Sequence, residues 1–199
     1  MNCHYPPKRW ISRVWQPVPM PSYTRDLRTT AYHEAGHAVL FLAFGIPIKE
    51  VCMDLSPTEP GFVGGGYVAQ DKEMIAELRK ELSHTNPPLS DDKKLHSEQE
   101  GALWAAASYL AGEQAELILH GITVNGPVFL PSADQKVAKN MLREAFRHTH
   151  GVYYCQRLAR AILMDLWPAA EAIANALLKA GRLDSDQVNE AVRAINADC

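Results

Sequence analysis

The sequence lacks paired cysteines: Cys3, Cys52, Cys155 and Cys199 stand far apart, with no CxxC among them. That spacing suggests neither a thiolate zinc site nor a dense disulfide framework, so a reducing cytoplasm is the expected compartment. Positive charge is also in short supply, with 20 Lys+Arg against 23 Asp+Glu and a formal net charge of -3. The chain therefore has no global basic field of the kind that holds nucleic acid, and no nucleic-acid partner is expected. Long apolar runs are missing too. The two longest, around residues 38–48 and 102–111, fall well short of the roughly 20 residues that a membrane span requires. The opening stretch MNCHYPPKRWISRVWQPVP has prolines and charges where a signal peptide needs unbroken apolar sequence, so neither secretion nor a membrane partner is expected. Finally, no GxxxxGK[ST] sequence occurs, which removes the phosphate-cradling loop of a P-loop nucleotidase.

What is present suits one domain. The 199 residues suffice for a single substantial core. Residues 1–22 carry Pro6, Pro7, Pro17, Pro19 and Pro21, which oppose a regular helix and predict an extended arm. Trp10 and Trp15 give that arm apolar side chains to dock on its own domain or on a partner. Residues 23–199 form the expected domain, mainly α with a small β-hairpin. A helix is expected over about 24–44, where Leu27, Ala31, Ala35, Ala38 and Leu42 recur at spacings of three and four and Gly45 supplies the stop. Residues 48–55 and 62–69 read as the hairpin, with a glycine-rich second strand. Residues 70–96 read as a surface insertion, a short charged helix dissolving into turn chemistry. Ser97 with Glu100, and Ser132 with Gln135, have the form of capping boxes opening helices, the first an alanine-rich one ending at Gly121. The tail, 155–180 with Pro168 inside and 184–197 after Gly181, reads as two or three closing helices.

The chemistry lies in His33-Glu34-Ala35-Gly36-His37, an HExxH sequence. Histidines at i and i+4 share one helical face, so both imidazoles can reach one tetrahedral ion, while Glu34 lies off that line. A carboxylate so placed suits proton abstraction from water and delivery to a leaving amine. Gly36 inside this helix costs about 1 kcal/mol relative to alanine, which points to a packing or functional need for it. A catalytic zinc also requires a third protein ligand. Leu40 and Ala43 stand where the extended metzincin motif has glycine and histidine, which excludes that form. Glu113, Glu116 and Asp134 remain as candidates, and the residues alone leave them level.

Residues 30–39, TAYHEAGHAV, resemble the AYHEAGHA helix of the FtsH-type ATP-dependent zinc metalloproteases. Residues 110–121, LAGEQAELILHG, are similar to that family's LGGRAAEELVFG helix, and 132–139, SADQKVAK, to its SNDLxxAT segment. The strands over 48–55 and 61–67 resemble the family's hairpin, and 161–163 with 177–183 its closing helices. The resemblance implies a helical zincin-like peptidase domain holding Zn2+ on His33, His37 and Asp134, with Glu34 as the catalytic base. It also makes Glu116 a candidate either to orient a ligand histidine or to serve as an alternative ligand. Gly64, Gly65 and Gly66 would let a substrate strand approach the hairpin. The expected departures are the missing ATPase sequence and membrane anchor, Glu113 in place of the family's arginine, and the insertion over 70–96. The expected activity is therefore hydrolysis of peptides or already unfolded chains, with a separate unfoldase as one conceivable partner and an oligomer left open. The competing expectation is a catalytically silent metal-binding or scaffold protein that retains the peptidase fold.

Overall fold

The computed structural model describes residues 26–54, 66–77, 91–123, 128, 132–147 and 151–197. The expected arm at 1–22, the hairpin tip, Gly64, Gly65 and residues 78–90 lie outside this set. The fold is mainly helical, with seven helices and a small three-stranded antiparallel sheet among the described residues. Among the described residues no single helix is long and apolar enough to cross a membrane.

Helix α1, Leu27–Ala43, begins where the Asp26 carboxylate accepts a hydrogen bond from the Thr29 amide at 2.7 Å. It ends in a double closure: the Gly45 amide bonds the Leu42 carbonyl and the Ile46 amide bonds the Phe41 carbonyl, with Gly45 at φ +66°. This is the Schellman arrangement that a left-handed glycine permits, and it fulfils the expected stop. The expected one-sided apolar stripe is not what forms. Residues 29–41 are buried on every face, because the later helices Asp91–Leu119 and Trp167–Ala180 and the sheet enclose the helix, while Leu27 of the stripe is exposed.

Strands β1, Ile48–Met53, and β2, Gly66–Gln70, pair antiparallel with Val51 opposite Val68, as the hairpin expectation required. The sheet has a third member that the tail reading did not include. Strand β3, Arg182–Asp184, pairs with the other edge of β1, with Val51 opposite Leu183. Three residues are too few to show an alternating pattern, and their partners Glu50, Val51 and Cys52 lie far back in the chain. The order β2-β1-β3 leaves β2 at an edge.

After β2, residues 72–77 are helical (α2 as far as it is described), in keeping with the short charged helix expected there. Helix α3, Asp91–Leu119, corrects the boundary that followed. Ser97 lies inside it rather than capping it, and 91–96 are helix rather than insertion loop. The S-x-x-E pattern is local and fits a helix interior as well as a start, and the preceding DDKKLH offers no glycine or proline to break the helix. Helices α4, Ala133–Phe146, α5, Val152–Asp165, α6, Trp167–Ala180, and α7, Ser185–Ala197, complete the chain. Pro168 sits in the first turn of α6, where its missing N–H costs nothing, and the break between α5 and α6 turns the axis by 83°.

The core joins Ala35 and Leu40 of α1, Ala107 and Leu110 of α3, Leu163 of α5 and Leu177 of α6. Its tightest point explains Gly36. A Cβ there would meet the Ala115 Cβ at 2.7 Å and the Ala111 carbonyl oxygen at 2.8 Å, so α1 and α3 touch backbone to backbone. Gly36→Ala should therefore lower stability by about 1–3 kcal/mol through overpacking, although alanine is intrinsically the better helix former by about 1 kcal/mol. A thermal melt of the variant at or above the wild-type midpoint would contradict this contact.

Candidate metal centre

Three elements bring side chains to one point. Helix α1 supplies His33 and His37 one turn apart. Helix α3 passes beneath them with Ser108, Gly112 and Glu116 spaced i, i+4, i+8 on one face. Helix α4 supplies Asp134 in its first turn, after Ser132, whose hydroxyl accepts a hydrogen bond from the Gln135 amide at 3.1 Å. That half of the expected capping box forms. The Gln135 side chain does not return to the cap and instead donates to Glu113 and to the Val128 carbonyl.

His33 Nε2 lies 3.0 Å from His37 Nε2 and 3.3 Å from Asp134 Oδ2, and His37 Nε2 lies 3.7 Å from the same oxygen. Ligands held tetrahedrally at about 2.0–2.1 Å from an ion stand about 3.3 Å from one another, so the three atoms already have the mutual spacing of a coordination face. His33, His37 and Asp134 thus form a group that could hold a metal ion.

The opposite ring nitrogens are committed elsewhere. His37 Nδ1 donates to the Ser108 carbonyl at 2.7 Å, which leaves Nε2 as the position with a lone pair in the neutral ring. His33 Nδ1 meets the Glu116 carboxylate at 2.5 Å. Glu116 therefore stands behind a histidine and outside the three-atom group, the arrangement by which a carboxylate orients a metal-binding imidazole. Glu113, level with Glu116 and Asp134 in the sequence, is not at the group either. Its carboxylate takes hydrogen bonds from the Ser132 hydroxyl and from Gln135 Nε2. Burial pushes the Glu113 carboxyl above its ordinary value, and those two bonds counter it in part.

Gly112 was not singled out as a site residue, yet it shapes the site most directly. A Cβ built on it would fall 2.5 Å from both Nε2 atoms, so the absence of a side chain keeps the space between the imidazoles and α3 open. The signal in the sequence was a glycine inside an alanine-rich helix, four residues from both Ser108 and Glu116. The Ser108 backbone carbonyl left no such trace, because any residue there presents the same atom.

Glu34 is buried beside the pair and lines the same cavity of about 260 Å³ as His33, His37, Asp134, Gly66 and Tyr67. Its Cγ would lie 2.4 Å from a Cβ on Gly66, so the first residue of β2 must be a glycine for this carboxylate to rest where it does. Comparison with known protein families and with curated proteins finds no match for the chain.

Charge follows the geometry. Burial disfavours the His33 cation, but hydrogen bonds to Asp134 and Glu116 outweigh it and push the pKa up to about 9. Burial likewise opposes the Asp134 carboxylate, and the hydrogen bond from His33 together with the nearness of His37 reverses this, holding it well below the usual carboxylate range. At pH 7 the metal-free site therefore keeps a proton on His33 and none on Asp134. An ion must displace the proton from His33 Nε2, so uptake near neutral pH should release about one proton per ion, with affinity falling as pH drops below about 9. Calorimetric titrations in buffers of different ionisation enthalpy measure this release. Uptake without it would mean that His33 is not a ligand.

Proposed function

We propose that the chain is a zinc-dependent peptidase acting on extended or unfolded polypeptides, as its resemblance to the FtsH-type peptidase domain implies. The observation that carries the proposal is the convergence of His33 Nε2, His37 Nε2 and Asp134 Oδ2, with the Glu34 carboxylate in the same cavity but outside the group. Two imidazoles and one carboxylate match the donor set of hydrolytic zinc centres, and the missing side chain at Gly112 keeps space free beside both Nε2 atoms. Zinc bound there would supply Lewis acidity, polarising a substrate carbonyl and acidifying water.

The chain's own residues supply the rest. Glu116 holds the His33 ring through Nδ1 and the Ser108 carbonyl holds the His37 ring, so both Nε2 atoms face inward. Glu34 Oε takes a proton from water and passes it to the departing amine nitrogen. A base serves no purpose in a purely structural metal site, which favours the enzyme over the silent scaffold. Strand β2 borders the cavity and has no strand on its far side among the described residues. An extended peptide can add to that edge by main-chain hydrogen bonds. A folded domain presents no such free strand, so an unfoldase partner would extend the substrate range.

The test is metal analysis of the purified protein together with cleavage of a permanently unfolded substrate, for wild type, Glu34→Gln and Asp134→Ala. The proposal expects zinc in wild type and Glu34→Gln, cleavage in wild type alone, and in Asp134→Ala zinc held measurably but far more weakly than in wild type. Zinc without Glu34-dependent cleavage would instead identify a scaffold.

A further inference from the structure

Asp134 approaches the imidazole pair from a helix start, and a helix start needs something to hold it. The residues on either side of Asp134 are tied to one carboxylate: the Ser132 hydroxyl donates to Glu113 Oε1, and Gln135 Nε2 donates to Glu113 Oε2 at 3.2 Å. Glu113 is 1% exposed and directly follows Gly112, the α3 residue that faces the two Nε2 atoms. Gln135 Nε2 also donates to the Val128 carbonyl at 2.6 Å. Gln156 of α5 holds residue 128 in turn, accepting from the Val128 amide at 3.1 Å and donating to its carbonyl at 2.6 Å. A buried polar network thus fixes α4 to the helix that supports the ion-facing nitrogens.

We infer that Glu113 is a positioning residue, whose carboxylate sets Asp134 at coordination distance by gripping Ser132 and Gln135 around it. This inference rests on the metal-site reading above. Glu113 stands outside the group of His33, His37 and Asp134, and both its oxygens are occupied by α4 donors. A buried carboxylate with two such partners also costs free energy if the partners are lost, so the clamp resists sliding of α4. Outer-sphere groups of this kind change metal affinity by about 10–100-fold.

The experiment measures zinc affinity by chelator competition for wild type, Glu113→Ala, Glu113→Gln, Asp134→Ala and the Glu113→Ala/Asp134→Ala pair. Circular dichroism reports whether each variant keeps its helices. Glu113→Ala is expected to bind zinc about 10–100-fold more weakly than wild type. Glu113→Gln should fall between the two, because its amide oxygen still accepts from Ser132 while its amide nitrogen opposes that of Gln135. In the Asp134→Ala background, Glu113→Ala should cost nothing further, because a residue that acts only through Asp134 has nothing left to position. Unchanged affinity in Glu113→Ala, or an equal loss with and without Asp134, overturns the inference. If Glu113→Ala fails to fold, Glu113→Gln decides: wild-type affinity in that variant overturns it. Failure of the underlying metal-site reading looks different, since wild type itself would then bind no zinc, or Asp134→Ala would bind it as tightly as wild type.

Discussion

Glu34→Gln should keep its metal and lose hydrolysis of an unfolded protein by a factor of about 10²–10⁴, the range over which a positioned general base contributes. Glutamine preserves the shape of the side chain while removing its capacity to take a proton at neutral pH. No neighbouring carboxylate can substitute. Glu116 is engaged by His33, Glu113 by Ser132 and Gln135, and Asp134 by the two imidazoles. Gly66→Ala provides an independent approach to the same atom. Its Cβ would lie 2.6 Å from Glu34 Oε1, so the carboxylate must move while the three-atom group is untouched. That variant should also hold zinc and cleave slowly, since small misplacements of a reacting group are expensive. Wild-type turnover in Glu34→Gln would remove this residue from the chemistry.

Gly112→Ala should abolish metal binding while leaving a helical protein. In an isolated helix the exchange would be favourable by about 1 kcal/mol. Here the added methyl would stand 2.5 Å from both Nε2 atoms and 2.6 Å from His33 Cε1. Neither ring can retreat easily, because each is anchored through its other nitrogen, His33 to Glu116 and His37 to the Ser108 carbonyl. Either the methyl occupies the ion's place or the rings turn and lose their shared focus. Metal content by elemental analysis, with circular dichroism to establish folding, checks this result. Stoichiometric zinc in a folded Gly112→Ala protein would show that the ion sits elsewhere.

Different parts of this arrangement were legible to different degrees. HExxH placed two imidazoles on one face because helical periodicity alone puts i and i+4 together. Gly45, Ser132 and Pro168 marked element breaks that the structure bears out, since capping chemistry is local. Ser97 misled for the same reason: its pattern describes a local option, and α3 had already begun at Asp91. Strand β3 was too short to leave a pattern, and Gly66, read as part of a glycine-rich second strand, gave no sign that Glu34 rests against it.

The sequence by itself determined the two histidines, the glutamate between them, and an aspartate held at a helix start, because each depends on spacings within about one helical turn. Only the tertiary structure separated the roles of Glu113, Glu116 and Asp134, joining α4 to one carboxylate, His33 to the second and the imidazole pair to the third. Those assignments connect positions 19, 83 and 101 residues apart, and side chains that far apart meet according to how helices pack, which no local spacing encodes.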